Sequence, residues 1–244
     1  ILWLFVPAPK LDAEFYRAFA IALPLEIVTI ILYIKALRVS PLSLTLPFLA
    51  ITPVFLIFIS YLLVGEKVSF RGGAGIFLIA AGSYTLNISE IKKGILEPFR
   101  SIPREKGSVF MICVALIYCF TASLGKIAIE HSSPLFFVIT YYIALTICFA
   151  PIAFWMGRKE LGVFFRDKQF RKLVQPGVFF AVMAATHMLA MNLTKVAYMI
   201  SVKRLSLIIG IMYGYFLFRE ENIKERLLGA VLMLIGFVLV VTAI

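Results

Sequence analysis

The chain has 244 residues, 62% of them hydrophobic, and a mean hydropathy of +1.00. Water-soluble domains carry about 45–50% apolar residues, so this composition excludes a soluble globule. The net charge of +11, from 24 Lys and Arg against 13 Asp and Glu, does not point to a nucleic-acid partner. The basic residues sit in short connections between apolar runs, where they meet lipid headgroups and set topology, and no basic patch with interleaved aromatics stands apart from them.

A bilayer core of about 30 Å takes roughly 20 apolar residues as helix. Lipid offers an unpaired backbone no partner, so each apolar run is expected to be a helix. In chain order, residues 1–6, ILWLFV, read as the end of one span, and complete spans are expected at 15–37, 41–64, 72–88, 107–129, 134–157, 173–194, 196–218 and 227–244. Two connections are longer than the rest, 89–106 and 158–172, and Trp3 and Trp155 sit near span ends as interfacial aromatics do.

Polar residues inside these spans are the functional candidates, because burying them in lipid is costly. Glu26 lies near the middle of 15–37 and is the one acid deep within any expected span, a candidate proton carrier; the alternative is a protonated structural glutamate beside Pro24. His187 lies well inside 173–194, where a lone histidine more often packs than binds substrate. Lys203 and Arg204 come roughly 10–12 Å along 196–218 at 1.5 Å per residue. Each charge costs about 2.5–3.5 kcal/mol at a helix centre. One long side chain can carry its charge back to the headgroups, but two neighbours point about 100° apart, so at least one should face the protein interior. The guanidinium fork of Arg204 suits a carboxylate or phosphate, and Lys203 adds a point charge. Lys126 and Lys195, at span ends, are expected to snorkel. Gly73, Gly75, Gly82, Gly229 and Gly236 are expected to give close helix contact, as small residues do in membranes.

A shift of 154 residues aligns 36–88 with 190–242 without a gap, placing Glu66 on Glu220, Gly75 on Gly229 and Gly82 on Gly236. Arg17 falls on Arg171, Glu26 on Phe180, and Leu49 and Ala50 on Lys203 and Arg204. The chain then divides into a first repeat at 1–88, a connecting loop at 89–106 and a second repeat at 107–244. Shifted back, the spans 107–129 and 134–157 cover positions of about −47 to 3, so the first repeat is expected to lack its first helix and most of its second. Five spans per repeat is an odd number, so the second would enter from the opposite face: an inverted-topology repeat.

The segment ALRVSPLSLTLPFLAITPVFLIFISYLLVGEKVSFRGGAGIFLIAAG resembles the EamA domain of the drug/metabolite transporter superfamily. The likeness rests on Ala36–Leu37, Ser40–Pro41, Pro53–Val54–Phe55, Gly65–Glu66 and the Gly75/Gly82 pair; in the second repeat Leu207 stands for the proline and Arg219 for the glycine. The resemblance implies an all-α integral membrane fold of ten helices, two five-helix halves around a central cavity, lined mainly by the first, third and fourth helix of each half. It implies a multi-pass transporter of a prokaryotic plasma (inner) membrane. Cargo in that superfamily ranges from amino acids to sugars, nucleotide sugars, phosphorylated sugars and drugs, so the fold does not fix it. The short stretch VKRLSLII further resembles the Lys-Arg pair of the sugar-phosphate translocators, where the pair holds the substrate's phosphate.

No HExxH, GxSxG, phosphate-binding loop or acidic cluster is present, and Cys113, Cys119 and Cys148 show no metal-ligand spacing; neither enzyme chemistry, nor a metal, nor a cofactor is expected. The expected function is secondary transport, by alternating access, of a small polar metabolite, anionic or phosphorylated, with the lipid bilayer as the other partner. The competing classes are a lipid-handling or membrane-assembly protein and, behind it, an intramembrane enzyme. Oligomeric state is not legible. Orientation receives two opposed indications: sixteen Lys and Arg on one face against six on the other put the C-terminus outside, whereas the family resemblance puts both termini inside.

Overall fold

The computed structural model of the protein describes residues 6, 9–40, 45–88, 106–166, 172–209, 212 and 223–243. Among these the regular structure is helical throughout. The elements are α1 (Ala13–Val39), a 3-10 helix η1 (Leu46–Ile51), α2 (Thr52–Val64), α3 (Phe70–Ile88), α4 (Lys106–Glu130), α5 (Pro134–Arg166), α6 (Val174–Leu193), α7 (Val196–Lys203) and α8 (Ile223–Val241). Five described stretches are long and apolar enough to cross a membrane, at Ala13–Val39, Pro47–Val64, Lys106–Glu130, Pro134–Trp155 and Val174–Leu193. Four expected spans, 15–37, 72–88, 107–129 and 173–194, coincide with single helices to within two residues. Residues 1–5 of the expected stub, and Glu220, lie outside the described residues.

The other four differ: 41–64 divides into η1 and α2, α8 is shifted from 227–244 by up to four residues at its ends, and 134–157 and 196–218 differ as follows. Residues 158–166, read as a loop, are helical: α5 continues to Arg166 past a break at Gly157 (φ −119°, ψ 16°). The span 196–218 is not one helix. α7 stops at Lys203, residues 204 and 205 form a turn, and helix resumes at 206–209. The backbone there tightens to i→i+3 bonds, Leu205 N to Val202 O and Leu207 N to Arg204 O, both 3.0 Å. Ser201 Oγ bonds back to the Ala197 carbonyl at 2.5 Å, a competing bond that bends helices.

The chain forms two compact units. The first comprises Ile1–Ile27 and Gly125–Leu193, and the second Val28–Leu124 and Thr194–Ile244. The first unit is organised by aromatic rings of α1 and α5. Phe19 meets Tyr141 edge-on at 5.6 Å, and Phe137 lies 5.1 Å from Tyr141. The Tyr141 hydroxyl donates to the Ala22 carbonyl at 3.2 Å. Asp12 caps α1: its Oδ1 accepts the Phe15 N–H at 3.0 Å, and its Oδ2 accepts His131 Nδ1–H at 2.6 Å. The Phe15 amide, then His131, hold the Asp12 carboxyl below the usual carboxylate range.

In the second unit a core of Ala36, Phe48, Met111 and Val114 joins the end of α1, η1 and the start of α4. α3 and α8 pack antiparallel through paired glycines. A Cβ on Gly75 would stand 2.7 Å from the Gly236 carbonyl oxygen, and one on Gly82 would stand 2.5 Å from that of Gly229. Lipid is as apolar as leucine, so close backbone approach supplies dispersion contact that burial from water supplies in soluble proteins. The pairing is reciprocal in the 154-residue register, because Gly229 and Gly236 are the counterparts of Gly75 and Gly82. Gly73 is different: a Cβ there would meet only Val68 Cγ1, at 3.9 Å, so close packing does not require a glycine.

Candidate functional site

Prolines explain the first half of the site. α2 begins after Ile51 with Pro53 in its first turn, and η1 carries Pro47 as its second residue. Pro53 has no N–H, so the Leu49 carbonyl four residues earlier loses its α-helical donor. The Thr52 N–H reaches that carbonyl instead, closing a 3-10 turn. Opposite this joint stands the break after Lys203. Arg204 donates from Nη2 to the same Leu49 oxygen at 2.7 Å. The two interrupted segments therefore meet through an arginine, and by the repeat register Leu49 is the counterpart of Lys203.

The rest of Arg204 is sparingly satisfied. Its Nε is buried and has no hydrogen-bond partner among the described residues, and neither has the buried Thr52 hydroxyl at the joint. No carboxylate pairs with Arg204 among the described residues. The guanidinium interacts electrostatically with the Tyr118 and Tyr33 hydroxyls and the Cys119 thiol. Cys119 directs its proton to backbone carbonyls, Ala115 O at 3.2 Å and Thr52 O at 3.6 Å. Lys203, one residue earlier, is exposed.

Glu26 and His187 belong to the first unit, and Lys203 and Arg204 to the second. Glu26 is half-buried on α1 and interacts electrostatically with Tyr141 and Tyr142 of α5. The ring of Phe180, its counterpart in the repeat register, also reaches Tyr142, edge-on at 5.4 Å. His187 is half-buried on α6.

Two lysines depart from the snorkelling expected of them. Lys126 is buried, with its ammonium donating to the Met191 carbonyl at 2.8 Å and the Asn192 carbonyl at 3.5 Å, and lying 3.4 Å from Glu130 Oε1. These are carbonyls of the last turn of α6, where helices leave acceptors unfilled and favour a cation. Lys195 donates to the Lys67 carbonyl at 2.6 Å and lies 5.3 Å from the Tyr198 ring centroid.

The start of α7 is clamped by the connection after α2. Gly65 ends α2 in the left-handed conformation (φ 78°), which a residue with a Cβ adopts at a cost. Glu66 Oε2 then accepts the Val196 N–H at 2.8 Å, capping α7. The sequence places Glu66 near the N-terminus of the last helix of its own half; the acid in fact serves the helix that carries Lys203. Tyr198, which sequence reasoning did not single out, is fully buried and bonds Ser69 through its hydroxyl (3.2 Å to Oγ, 3.3 Å to N), and a Cβ on Gly72 would collide with its ring. The signal in the sequence was a tyrosine in an otherwise aliphatic run, facing a glycine in another. A groove of about 580 Å³ beside this connection, between Phe58, Tyr61 and Lys67, contains neither Lys203 nor Arg204.

No curated protein matches the chain. A solved structure titled "Crystal structure of protein" is similar in fold, with a TM-score of 0.69 at 13% identity, covering 93% of this chain and 77% of its own. The model of the EamA-like transporter family matches residues 1–88 and 105–242. With that match over nearly its whole length and five membrane-crossing stretches in its structure, the chain belongs to the EamA-like transporter family, multi-pass membrane transporters of the drug/metabolite superfamily.

Proposed function

We propose that the chain is a secondary transporter that carries a small polar, anionic metabolite across a prokaryotic plasma membrane by alternating access. The observation that carries this reading is Arg204: a guanidinium in an apolar span, with its Nε buried and without a hydrogen-bond partner among the described residues, held at the meeting of two interrupted helices. Interrupted helices at corresponding positions of two repeats are where transporters place their sites, because the freed backbone is tolerated only where it lines a cavity or is buried in protein. The reciprocal Gly75–Gly236 and Gly82–Gly229 approach supports an inverted repeat with halves at 1–88 and 107–244, since a pseudo-two-fold axis makes each contact the image of the other.

Lys203 is proposed to act with Arg204; His187, in the first unit, is proposed separately as a substrate residue, and Glu26, an acid in a membrane-spanning helix, as the coupling group. The test is uptake by the full-length protein in proteoliposomes. Arg204→Ala and Lys203→Ala abolish substrate-dependent uptake on this reading, and normal rates in both variants overturn it. Glu26→Gln uncouples uptake from an imposed pH gradient; a variant that still responds to the gradient removes Glu26 from the mechanism.

A further inference from the structure

The connection after α2 builds a second feature, and it does not depend on Arg204. Gly65 turns the chain into the left-handed conformation, and the N–H groups of Gly65 and Glu66 bond back to the Tyr61 and Ser60 carbonyls, at 3.1 and 3.4 Å. Residues 66–68 are thereby folded beside the last turns of α2. The groove of about 580 Å³ lies there. Phe58, Tyr61 and Leu62, all exposed, give it an apolar wall, and Glu66, Lys67 and Val68 complete its lining. α2 belongs to the membrane-crossing stretch Pro47–Val64, so the groove sits where that span meets the headgroups, the depth at which tyrosine rings settle.

The charge at this connection is positive. Lys67 is exposed at the groove. The Lys195 ammonium donates to the Lys67 carbonyl at 2.6 Å and lies 5.3 Å from the Tyr198 ring centroid. The same ring meets the first turn of α3, where its hydroxyl bonds Ser69 and a Cβ on Gly72 would collide with it. Arg71 is exposed on that turn. Three cations are therefore gathered around one connection. The acid in the lining, Glu66, already gives Oε2 to the Val196 N–H at the start of α7, where a helix favours negative charge. Among the described residues, no carboxylate lies within ion-pair distance of Lys67, Arg71 or Lys195. An ammonium has three donors, so Lys195 keeps donors beyond the one on the Lys67 carbonyl.

Lipid tails are as apolar as leucine, so an acyl chain gains little from the wall except fit, and the choice among lipids falls to the headgroup. A zwitterionic headgroup brings its own cation and neutralises less of the patch. A water-soluble anion would leave the apolar wall uncovered. We propose that this groove binds an anionic phospholipid, with its phosphate at Lys67 and Lys195, Arg71 beside them, and one acyl chain along Phe58, Tyr61 and Leu62. The lipid then braces the connection that clamps the start of α7.

The experiment is a thermal-shift titration of the purified full-length protein in a neutral detergent. The probes are dioleoylphosphatidylglycerol, dioleoylphosphatidylcholine with the same chains, and glycerol 3-phosphate as a soluble phosphate. Phosphatidylglycerol should raise the melting temperature more than phosphatidylcholine does, since a ligand that binds only the native state stabilises it. Lys67→Gln should raise the half-saturating phosphatidylglycerol concentration about fivefold, the effect of one basic residue at an anionic lipid surface. Its lipid-free melting temperature should stay within about 2 °C of the parent, as for other exposed substitutions. Lys10→Gln, which removes an exposed cation in the other unit, should leave the titration unchanged. Leu62→Trp fills the groove without touching a charge and should remove most of the lipid-dependent shift, so the outcome does not rest on one variant. Equal stabilisation by the two lipids, or a phosphatidylglycerol shift that both Lys67→Gln and Leu62→Trp keep, overturns the site. Glycerol 3-phosphate acting as strongly as phosphatidylglycerol overturns it in favour of a soluble anion. A melting temperature that rises with protein concentration, is insensitive to lipid and loses that rise in Leu62→Trp overturns it in favour of a second copy of the chain. Failure here leaves the Arg204 reading untouched, because the two sites share no residue.

Discussion

Replacing Gly82 with alanine tests how the second unit holds together. The added Cβ would stand 2.5 Å from Gly229 O, 2.6 Å from Met233 Cγ and 3.0 Å from Met233 N. Met233 can rotate its side chain, but the backbone oxygen cannot move without its helix. Carbon contacts are favourable near 3.5–4.0 Å, so α3 and α8 must part by roughly 1 Å there. A gap of that size forfeits a quarter to a half of each dispersion well along the contact. Overpacking of this kind costs about 1–3 kcal/mol. Alanine's higher helix propensity returns up to about 1 kcal/mol. The net loss of about 1–2 kcal/mol should lower the apparent melting temperature in detergent by roughly 2–8 °C. Gly73→Ala is the control: it lies on the same helix, gains the same propensity and meets only Val68 Cγ1 at 3.9 Å, so it should be neutral or slightly stabilising. Intrinsic fluorescence during a thermal ramp at fixed scan rate reads both variants. Equal melting temperatures for Gly82→Ala and the parent, or an equal fall in Gly73→Ala, would refute the close-approach explanation.

Further predictions concern the clamps. Tyr198→Phe removes the hydroxyl bonded to Ser69 and should lower the melting temperature by about 2–5 °C, the equivalent of one lost hydrogen bond; no change would mean that ring packing alone fixes α7. Lys126→Ala leaves the Met191 and Asn192 carbonyls without their donor, at a cost of about 1–3 kcal/mol, whereas a snorkelling lysine would tolerate the change. Asp12 titrates lower when folded than unfolded, so its carboxylate contributes stability above the ordinary value near 3.9, and that contribution is lost as pH falls through the lowered folded value. The melting-temperature difference between the parent and Asp12→Asn should therefore hold steady above pH 5 and shrink below pH 4. A flat difference down to pH 2.5 would mean that Asp12 does not titrate with folding.

The bilayer made most of the helices legible. It forces backbone bonds inside each span and sets a length near 20 residues, so apolar runs alone placed α1, α3, α4 and α6 to within two residues. Glycine is likewise informative there, because close approach replaces the hydrophobic drive: Gly75, Gly82, Gly229 and Gly236 were marked, and Gly73 by mere adjacency. What hydropathy does not report is a break within an apolar run. Pro47 and Pro53 carry the signal for the η1–α2 joint, yet the run 41–64 reads as one span because both flanks are apolar. The break at Arg204 has no proline at all. Roles fixed by a distant partner were also hidden: Lys126 near the end of its span gives no hint of the α6 carbonyls it caps, and Glu66 none that its acceptor oxygen serves Val196. Arg204 was marked by cost alone, and its attachment to Leu49 O follows from a proline some 150 residues away in sequence.

The central claim is that this transporter moves an anion through Arg204. It is tested most directly by counterflow in proteoliposomes preloaded with a small anionic metabolite that raises the melting temperature of the purified protein, following uptake of the same labelled compound. The account predicts saturable accumulation above protein-free liposomes, competed by the unlabelled compound and lost in Arg204→Ala reconstituted at equal density. Accumulation at the parental rate in Arg204→Ala, or none above protein-free liposomes in the parent, would contradict it.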